Sequence, residues 1–218
     1  MFAEAMRSHG VEHDIWLLPE ADRPPADPLG YDAVLVFGGA MHVDHEDRHP
    51  WLGGEKALLR ELIQQRVPLL GVCLGAQLVA QATGAVAQRA SEPEIGWHDV
   101  EVTPEGATDP VLAPLAPRFT AFQWHSYEFT LPSGATPLAR SDVCLQAFRL
   151  RDHVWGIQFH AEVSEQDAQA WIDDYRSDED AVRIGLDPEA LRARTRRSIK
   201  AWNDAGRALC KRFLATRA

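Results

Sequence analysis

Residues 69–77 read LLGVCLGAQ, an apolar run followed by a cysteine that stands between two glycines. The apolar run is typical of a buried strand, and it ends at Cys73 with Gly71 two positions before and Gly75 two positions after. Small residues at these two positions allow a sharp turn from a strand into a helix that presents the side chain between them. The stretch therefore predicts a buried strand, a nucleophile elbow at Cys73 and a helix that follows it.

Such an elbow would activate the sulfur of Cys73. The amino end of the following helix points at the sulfur and favours its thiolate form, and the backbone N–H of Leu74 faces a developing oxyanion. Free cysteines are also among the residues most often buried as small hydrophobic side chains. Taken alone, the pattern leaves both interpretations of Cys73 open.

A second segment, GIQFHAEVS at residues 156–164, supplies a possible partner for the sulfur. An apolar strand runs into His160, and Glu162 follows two positions later, where an extended backbone points both side chains the same way. A carboxylate there can fix the imidazole tautomer and stabilise the imidazolium ion, as the third member of a catalytic triad does. Many such pairs are only polar surface residues, but the combination with a cysteine elbow favours a triad.

A third segment is FGGAM at residues 37–41, which follows another predicted buried strand. Glycines let the backbone approach a ligand closely, so Gly39 is a candidate for a second oxyanion donor beside Leu74. A pair of glycines after a strand is more often only a turn.

The order of elements predicts an α/β protein. Residues 2–9 favour a helix, 14–19 and 31–39 strands, 54–65 a helix, 67–73 a strand and 74–84 a helix. Alternation of this kind indicates a mostly parallel central sheet flanked by helices. Downstream, short strands indicate an antiparallel ribbon with a turn near Arg151 and Asp152, and residues 164–218 indicate C-terminal helices. We expect a single domain over residues 1–218.

Composition limits the possible partners and compartments. The formal net charge of −10 argues against non-specific binding to nucleic acid or to an anionic membrane. No apolar segment is long enough to span a bilayer, and no apolar signal core is present near Met1. The three cysteines, Cys73, Cys144 and Cys210, are too few and too scattered for a disulfide framework. A cytoplasmic protein is expected.

No cofactor is predicted. The chain has no G-x-x-x-x-G-K-[ST] phosphate loop, so it cannot activate an acceptor with ATP by that route. The histidines and acidic residues of loop 42–49 lack the spacing of a metal site and are interpreted as a solvated loop. We expect His98 and His125 to be structural or adjacent to substrate, and Cys144 and Cys210 to be packing residues.

Five ordered motifs carry a resemblance to a known family. They are FGGAM (37–41), GVCLGAQ (71–77), EIGWHDVEVT (94–103), QWHSYEFTLPSGA (123–135) and GIQFHAEVS (156–164). In this order they resemble the class I glutamine amidotransferases with a Cys-His-Glu triad, and especially the stand-alone proteins similar to the amidotransferase domain of GMP synthase. The resemblance covers about residues 14–165 by motif. It implies a flavodoxin-like fold, whose first strand lies before Met1 or is lacking here.

The resemblance also implies roles for individual residues. Cys73 matches the nucleophile, His160 the general base and acid, and Glu162 the carboxylate that orients the histidine. Gly39 and Leu74 match the main-chain oxyanion donors. The positions that hold the amino-acid end of substrate glutamine are matched by Gln77, Ser126 and Tyr127.

The implied reaction releases ammonia from the glutamine side chain through a γ-glutamyl thioester on Cys73. Two alternatives stay open: a free-standing hydrolase of γ-glutamyl peptides or amides with the same triad, and a non-catalytic binding or regulatory member of the fold. The expected partners are glutamine or another γ-glutamyl small molecule and, for an ammonia-supplying protein, a separate synthetase.

Overall fold

The computed structural model describes residues 1–18, 24 and 26–217 of the 218-residue chain. Within these residues the chain forms seven strands and six α-helices. In chain order they are α1 (Phe2–Ser8), β1 (Val34–Val36), α2 (Trp51–Gln64), β2 (Leu69–Val72), α3 (Leu74–Ala82), β3 (Ala87–Val102), β4 (Arg118–Phe129), β5 (Ala135–Arg140), β6 (Leu145–Leu150), β7 (Val154–Ile157), α4 (Glu165–Asp173), α5 (Glu179–Arg183) and α6 (Pro188–Leu214).

The strands form one mixed sheet in the order β1-β2-β7-β6-β5-β3-β4. β1 pairs with β2 and β2 with β7 in parallel. The pairs β7–β6, β6–β5, β5–β3 and β3–β4 are antiparallel. Because β2 and β7 are parallel neighbours, their carboxyl ends lie side by side at one edge of the sheet.

Two apolar cores lie against the sheet. Consecutive strand residues point to opposite faces, and accordingly Leu69 belongs to one buried cluster and Leu70 to the other. Helices α2 and α3 contribute to the cluster around Leu69, and α1, α4 and α6 to the cluster around Leu70. Each fully buried leucine or phenylalanine contributes about 1.5–3 kcal/mol relative to an exposed one.

The C-terminal helices α4 and α6 pack in the cluster around Leu70. Asp187 caps α6 by accepting hydrogen bonds from the backbone N–H groups of Glu189 and Ala190, and Pro188 occupies the first turn. Trp202 of α6 is buried, and its indole Nε1 donates to the carbonyl of His160 at 2.8 Å. The long helix thus supports the segment that follows β7.

The α/β class, the flanking helices and the hairpin near Arg151 are confirmed. Arg151 has a φ of 55°, the left-handed conformation that a tight turn between β6 and β7 uses. The antiparallel part extends well beyond a small ribbon, because β3 runs for 16 residues and β4 for 12. The strand predicted over 14–19 is wrong for residues 14–18, which form no regular structure, and Pro19 lies outside the described residues.

A groove of about 590 Å³ lies beside β1, which forms one edge of the described sheet. Its lining is largely apolar, but it includes Glu55 of α2, a buried carboxyl group for which the described residues provide no hydrogen bond or ion pair. Burial raises the pKa of Glu55 to about 7. The Glu55 carboxyl therefore keeps its proton to a higher pH than an ordinary glutamate does.

None of the helices in the described part of the chain has both the length and the apolar character of a membrane-spanning segment.

Candidate active site

Cys73 stands at the turn from β2 into α3, as the elbow pattern predicts. Its backbone has φ 52° and ψ −113°, a strained conformation for a residue other than glycine. A methyl group added to Gly71 would lie 2.7 Å from the backbone carbonyl of Gly75, and one added to Gly75 would overlap the carbonyl of Val36. The two glycines are thus required for the close approach of strand and helix at the turn.

His160 follows β7, the strand that neighbours β2. The backbone N–H of Cys73 donates to the carbonyl of Ile157 at 2.8 Å, which ties the two strand ends together. A methyl group added to Gly38 would lie 3.4 Å from Cβ of Cys73 and 3.7 Å from Cε1 of His160. Both side chains therefore flank the backbone of Gly38, and the structure brings the predicted nucleophile and base together.

The Glu162 carboxylate contacts Nδ1 of the His160 ring. Its Oε1 lies 2.7 Å from Nδ1 of His160, and the carboxylate is largely covered by protein. The ring of Trp171 packs edge-on against His160 with centroids 4.8 Å apart. With Nδ1 engaged by the carboxylate and the ring fixed by Trp171, Nε2 of His160 is the nitrogen left for proton exchange with Cys73.

The charges around His160 favour its protonated form. Burial by itself would lower the pKa of His160, but its electrostatic interactions and hydrogen bonds with Glu162 and Cys73 raise it well above its ordinary value of 6.5. The surroundings of the ring therefore favour the imidazolium ion next to the sulfur. This is the setting in which cysteine acts as a nucleophile.

The segments predicted to stabilise an oxyanion adjoin Cys73. Leu74 is the first residue of α3, so its N–H is one of the free amides at the amino end of the helix. A methyl group added to Gly38 would lie 3.7 Å from the Leu74 nitrogen, and one added to Gly39 would lie 3.9 Å from Cδ2 of Leu74. The segment 38–39 thus lies against Leu74, and Gly38 also lies against Cys73.

Gln158 is a residue of this site that the sequence interpretation missed. Its side chain is fully buried, and its Nε2 donates to Sγ of Cys73 at 3.6 Å. Its Oε1 accepts a hydrogen bond of 3.2 Å from Nε2 of Gln77, which also donates to the carbonyl of Tyr127 at 3.1 Å. The sequence signal was available, because Gln158 stands two positions before His160 in GIQFH and so shares its face of an extended backbone.

Two of the predicted substrate-binding residues, Ser126 and Tyr127, are half-buried, and we call their segment of β4 the entrance. Gln77 is buried and supports the backbone of Tyr127 through the hydrogen bond just described. The Tyr127 hydroxyl donates to Asp44 at 3.2 Å, and its ring stacks on His42 with centroids 4.3 Å apart. Ser126 lies beside the carboxylate of Asp180.

Charged groups stand next to these residues. Asp180 is buried and accepts a hydrogen bond of 2.5 Å from Nη2 of Arg89. Trp124, which precedes this segment, donates from Nε1 to Asp178 at 2.8 Å. A guanidinium and carboxylates therefore lie beside the entrance, where Arg89 and Asp180 are paired with each other.

The chain matches a known family model and several known proteins. The model described as glutamine amidotransferase class-I matches residues 1–174. The glutamine amidotransferase-like protein YfeJ of Salmonella typhimurium is 31% identical over 157 residues, which is 70% of this chain and 65% of that protein. The chain thus spans slightly less than two thirds of that relative.

Two further relatives have names that specify a reaction. A glutamine-hydrolyzing GMP synthase subunit of Saccharolobus solfataricus is 32% identical over 153 residues, 69% of this chain and 77% of that protein. Gamma-glutamyl-L-1-hydroxyisopropylamide hydrolase of a Pseudomonas species is 31% identical over 156 residues, 66% of this chain and 52% of that protein. Among solved structures, a glutamine amidotransferase from Thermotoga maritima is similar with a TM-score of 0.86 at 29% identity, covering 98% of this chain and 91% of that one.

Proposed function

The chain belongs to the class I glutamine amidotransferase family, and on that basis we propose that it hydrolyses the side-chain amide of glutamine with Cys73, His160 and Glu162 as its triad. The observation that carries this proposal is the position of His160, which shares a hydrogen bond of 2.7 Å with Glu162 and lies beside Cys73. A cysteine, a base and an orienting carboxylate in this order are the parts that acyl transfer through a thioester requires.

The proposed reaction has two halves. The Cys73 thiolate attacks the amide carbon, and the backbone N–H groups of Leu74 and Gly39 stabilise the oxyanion of the tetrahedral adduct. His160 then donates its Nε2 proton to the departing nitrogen, so that ammonia leaves and a γ-glutamyl thioester remains on Cys73. In the second half His160 takes a proton from water, the resulting hydroxide attacks the thioester, and glutamate and the Cys73 thiolate are released.

The amino-acid end of the substrate is assigned to the entrance. Ser126 and Tyr127 are proposed to contact it with their backbone, and Gln77 holds that backbone in place through the Tyr127 carbonyl. The Arg89 and Asp180 pair at the same entrance supplies charges of both signs. A substrate with an ammonium and a carboxylate group therefore fits this end of the site.

A hydrolase of γ-glutamyl amides is the second candidate function. The matched hydrolase from Pseudomonas is named for a γ-glutamyl amide larger than glutamine, and it matches a comparable length of this chain. In this case the same triad would act, and only the group that leaves would be larger than ammonia. The third possibility, a binding member of the fold without activity, is disfavoured by the assembled Cys73, His160 and Glu162.

For the first candidate function, glutamine hydrolysis, we also propose a partner protein and a cellular compartment. The relatives from Saccharolobus solfataricus and Halobacterium salinarum are each named as one subunit of GMP synthase, and we propose that this chain likewise supplies ammonia to a separate synthetase. Residues 1–218 are proposed to form one domain of the family, since α6 packs on α1 and α4. Free thiols at Cys73, Cys144 and Cys210 suit a cytoplasmic location.

The test measures ammonia release by the purified protein from glutamine and from small γ-glutamyl amides. Cys73→Ala should reduce the rate by about 10⁴-fold, while Cys210→Ser, which changes a buried thiol outside the site, should leave it near the wild-type value. A glutamine-mimicking electrophile should label wild type once, at Cys73. Ammonia release that survives in Cys73→Ala would refute the proposal, and a preference for larger amides would select the second candidate.

A further inference from the structure

A second group of chemically reactive side chains lies away from the sulfur of Cys73. It consists of Glu94 on β3, His125 on β4 and Cys144 just before β6, and we call it the 94–125–144 cluster. Glu94 and His125 are directly opposite each other in the antiparallel pair β3–β4, next to an irregularity in the β3 strand. All three side chains are buried.

The donor atoms of the cluster are close enough to share one ion. Nε2 of His125 lies 3.3 Å and Sγ of Cys144 lies 3.5 Å from Oε2 of Glu94. The three ligand atoms all lie within 4.8 Å of one another. Ligands placed about 2.0–2.3 Å from a tetrahedral ion are separated by about 3.3–3.8 Å, so the cluster needs only small adjustments to hold one.

The tautomer of His125 leaves a lone pair inside the cluster. Nδ1 of His125 lies 2.9 Å from the carbonyl of Tyr127, which can only accept, so Nδ1 carries a hydrogen. Nε2 is buried, it faces the Glu94 carboxylate, and it has no hydrogen-bond partner of good geometry among the residues that the structure describes. The unpartnered Nε2 therefore lies 3.3 Å from a carboxylate oxygen, and a bound cation would join these two atoms as ligands.

We propose that the 94–125–144 cluster is a binding site for a zinc ion. Imidazole nitrogen, carboxylate oxygen and cysteine sulfur together form a donor set typical of zinc and unsuited to magnesium or calcium, which prefer oxygen ligands. The Cys144 thiol donates to Oε2 of Glu94, and a divalent ion would displace this proton to solvent and balance the charges of the carboxylate and the resulting thiolate. The Nδ1–H of His125 on a backbone carbonyl is the outer hydrogen bond that zinc-bound histidines normally make.

The surroundings of the cluster are polar and ordered. Gln146 donates from Nε2 to Oε2 of Glu94 at 2.7 Å and contacts Sγ of Cys144 at 3.3 Å, and Ser141 donates to Glu94 at 3.0 Å. Gln123 reaches Gln146 at 2.7 Å, and its own Oε1 is buried without a donor from the described part of the chain. These amides and the hydroxyl form a second layer that would orient the ligands.

The site is proposed to be structural. Tyr127, whose carbonyl accepts from His125, also accepts from Gln77 beside the nucleophile, so the cluster fixes one end of the segment at the entrance. None of its three ligands touches the sulfur of Cys73. Zinc at the cluster is therefore expected to raise thermal stability.

The experiment must separate this cluster from the triad, because Cys73, His160 and Glu162 are also possible zinc ligands. The Cys73→Ala protein is therefore the reference, and it is compared with Cys73→Ala/Cys144→Ser and with Cys73→Ala/Cys210→Ser. Each purified protein is stripped with a chelator, incubated with ZnCl₂ or CoCl₂ and desalted. Metal content, the cobalt absorption spectrum and the melting temperature are then measured.

We expect about one equivalent of zinc in the reference and in the Cys210→Ser control, and less than about a tenth in the Cys144→Ser variant. The cobalt form of the reference should show a thiolate-to-cobalt charge-transfer band. This band tests sulfur ligation in a protein whose three cluster residues are not substituted. Absence of bound metal and of this band in the folded reference would overturn the proposal and assign the cluster to an imidazolium–carboxylate pair. Retention of the band in Cys144→Ser would also overturn it.

Discussion

Nδ1 of His160 lies 2.7 Å from Oε1 of Glu162, and this contact sets both the tautomer and the charge of the proposed base. Replacing the carboxylate with an amide in Glu162→Gln removes a negative charge that raises the pKa of His160. We expect the pKa of His160 to fall, as measured by NMR titration of the ring. We also expect ammonia release to fall by about 10²- to 10⁴-fold, since the imidazolium ion loses its stabilising partner.

The control for this prediction is Glu165→Gln, which neutralises an exposed carboxylate at the start of α4. It should leave both the His160 titration and the rate close to those of wild type. A Glu162→Gln protein with an unchanged His160 pKa would show that the carboxylate does not control the charge of the ring.

Gln158 is expected to stabilise negative charge on Cys73 through its hydrogen bond to Sγ. A hydrogen bond to a charged group contributes about 1.5–3 kcal/mol, so Gln158→Leu should slow alkylation of Cys73 by iodoacetamide about tenfold or more at neutral pH. The measurement is the alkylation rate as a function of pH, with the fold checked by circular dichroism. Gln88→Leu, at an exposed glutamine, is the matched control. Equal alkylation profiles in Gln158→Leu and wild type would exclude this role.

Two glycine substitutions should have opposite effects on stability. In Gly75→Ala the new methyl group overlaps the carbonyl of Val36, so helix α3 and the neighbouring strand β1 must separate. We expect a loss of more than about 3 kcal/mol in urea unfolding, or no soluble protein. Gly53→Ala places its methyl group in open space on α2 and should stabilise the fold by about 0.5–1 kcal/mol. Similar unfolding curves for both variants would contradict the steric argument.

The sequence predicts the elbow and the histidine segment because both are local signals. Gly71, Cys73 and Gly75 specify a turn by themselves, and the apolar run before His160 specifies a strand. Their adjacency depends on the parallel pairing of β2 with β7, which the alternation of elements favours but does not specify. The pairing of β3 with β4 brings Glu94 and His125 together, and the segment before β6 adds Cys144, so these residues show no metal-site spacing along the chain.

Other features of the fold and of the site cannot be predicted from local sequence patterns. The apolar residues Ile15 and Leu17 alternate as in a strand, yet they are 70% and 54% exposed, because no described strand pairs with their backbone. A strand needs a partner as well as a pattern. The length of β3 likewise depends on its partner β4, with which it stays paired through an irregularity between Arg89 and Glu94. Gln158 was missed because its contacts with Cys73 and Gln77 join distant parts of the sequence.

Glu55 should make the stability of the protein fall as the pH rises from about 4.5 to about 7. Burial raises its pKa in the folded state to about 7 from an ordinary value of 4.5. Between these values the unfolded chain has lost a proton that the folded chain retains, so the free energy of unfolding decreases with rising pH, by at most on the order of 3 kcal/mol. Glu55→Gln has a side chain of the same shape that does not titrate. It should flatten the decrease in the free energy of unfolding, measured by urea unfolding at pH 5, 6, 7 and 8.

The matched control is Glu61→Gln, which changes an exposed glutamate on the same helix and should retain the wild-type dependence of the free energy of unfolding on pH. An equal slope in wild type and Glu55→Gln would mean that the Glu55 carboxyl is already ionised in the folded protein at pH 5.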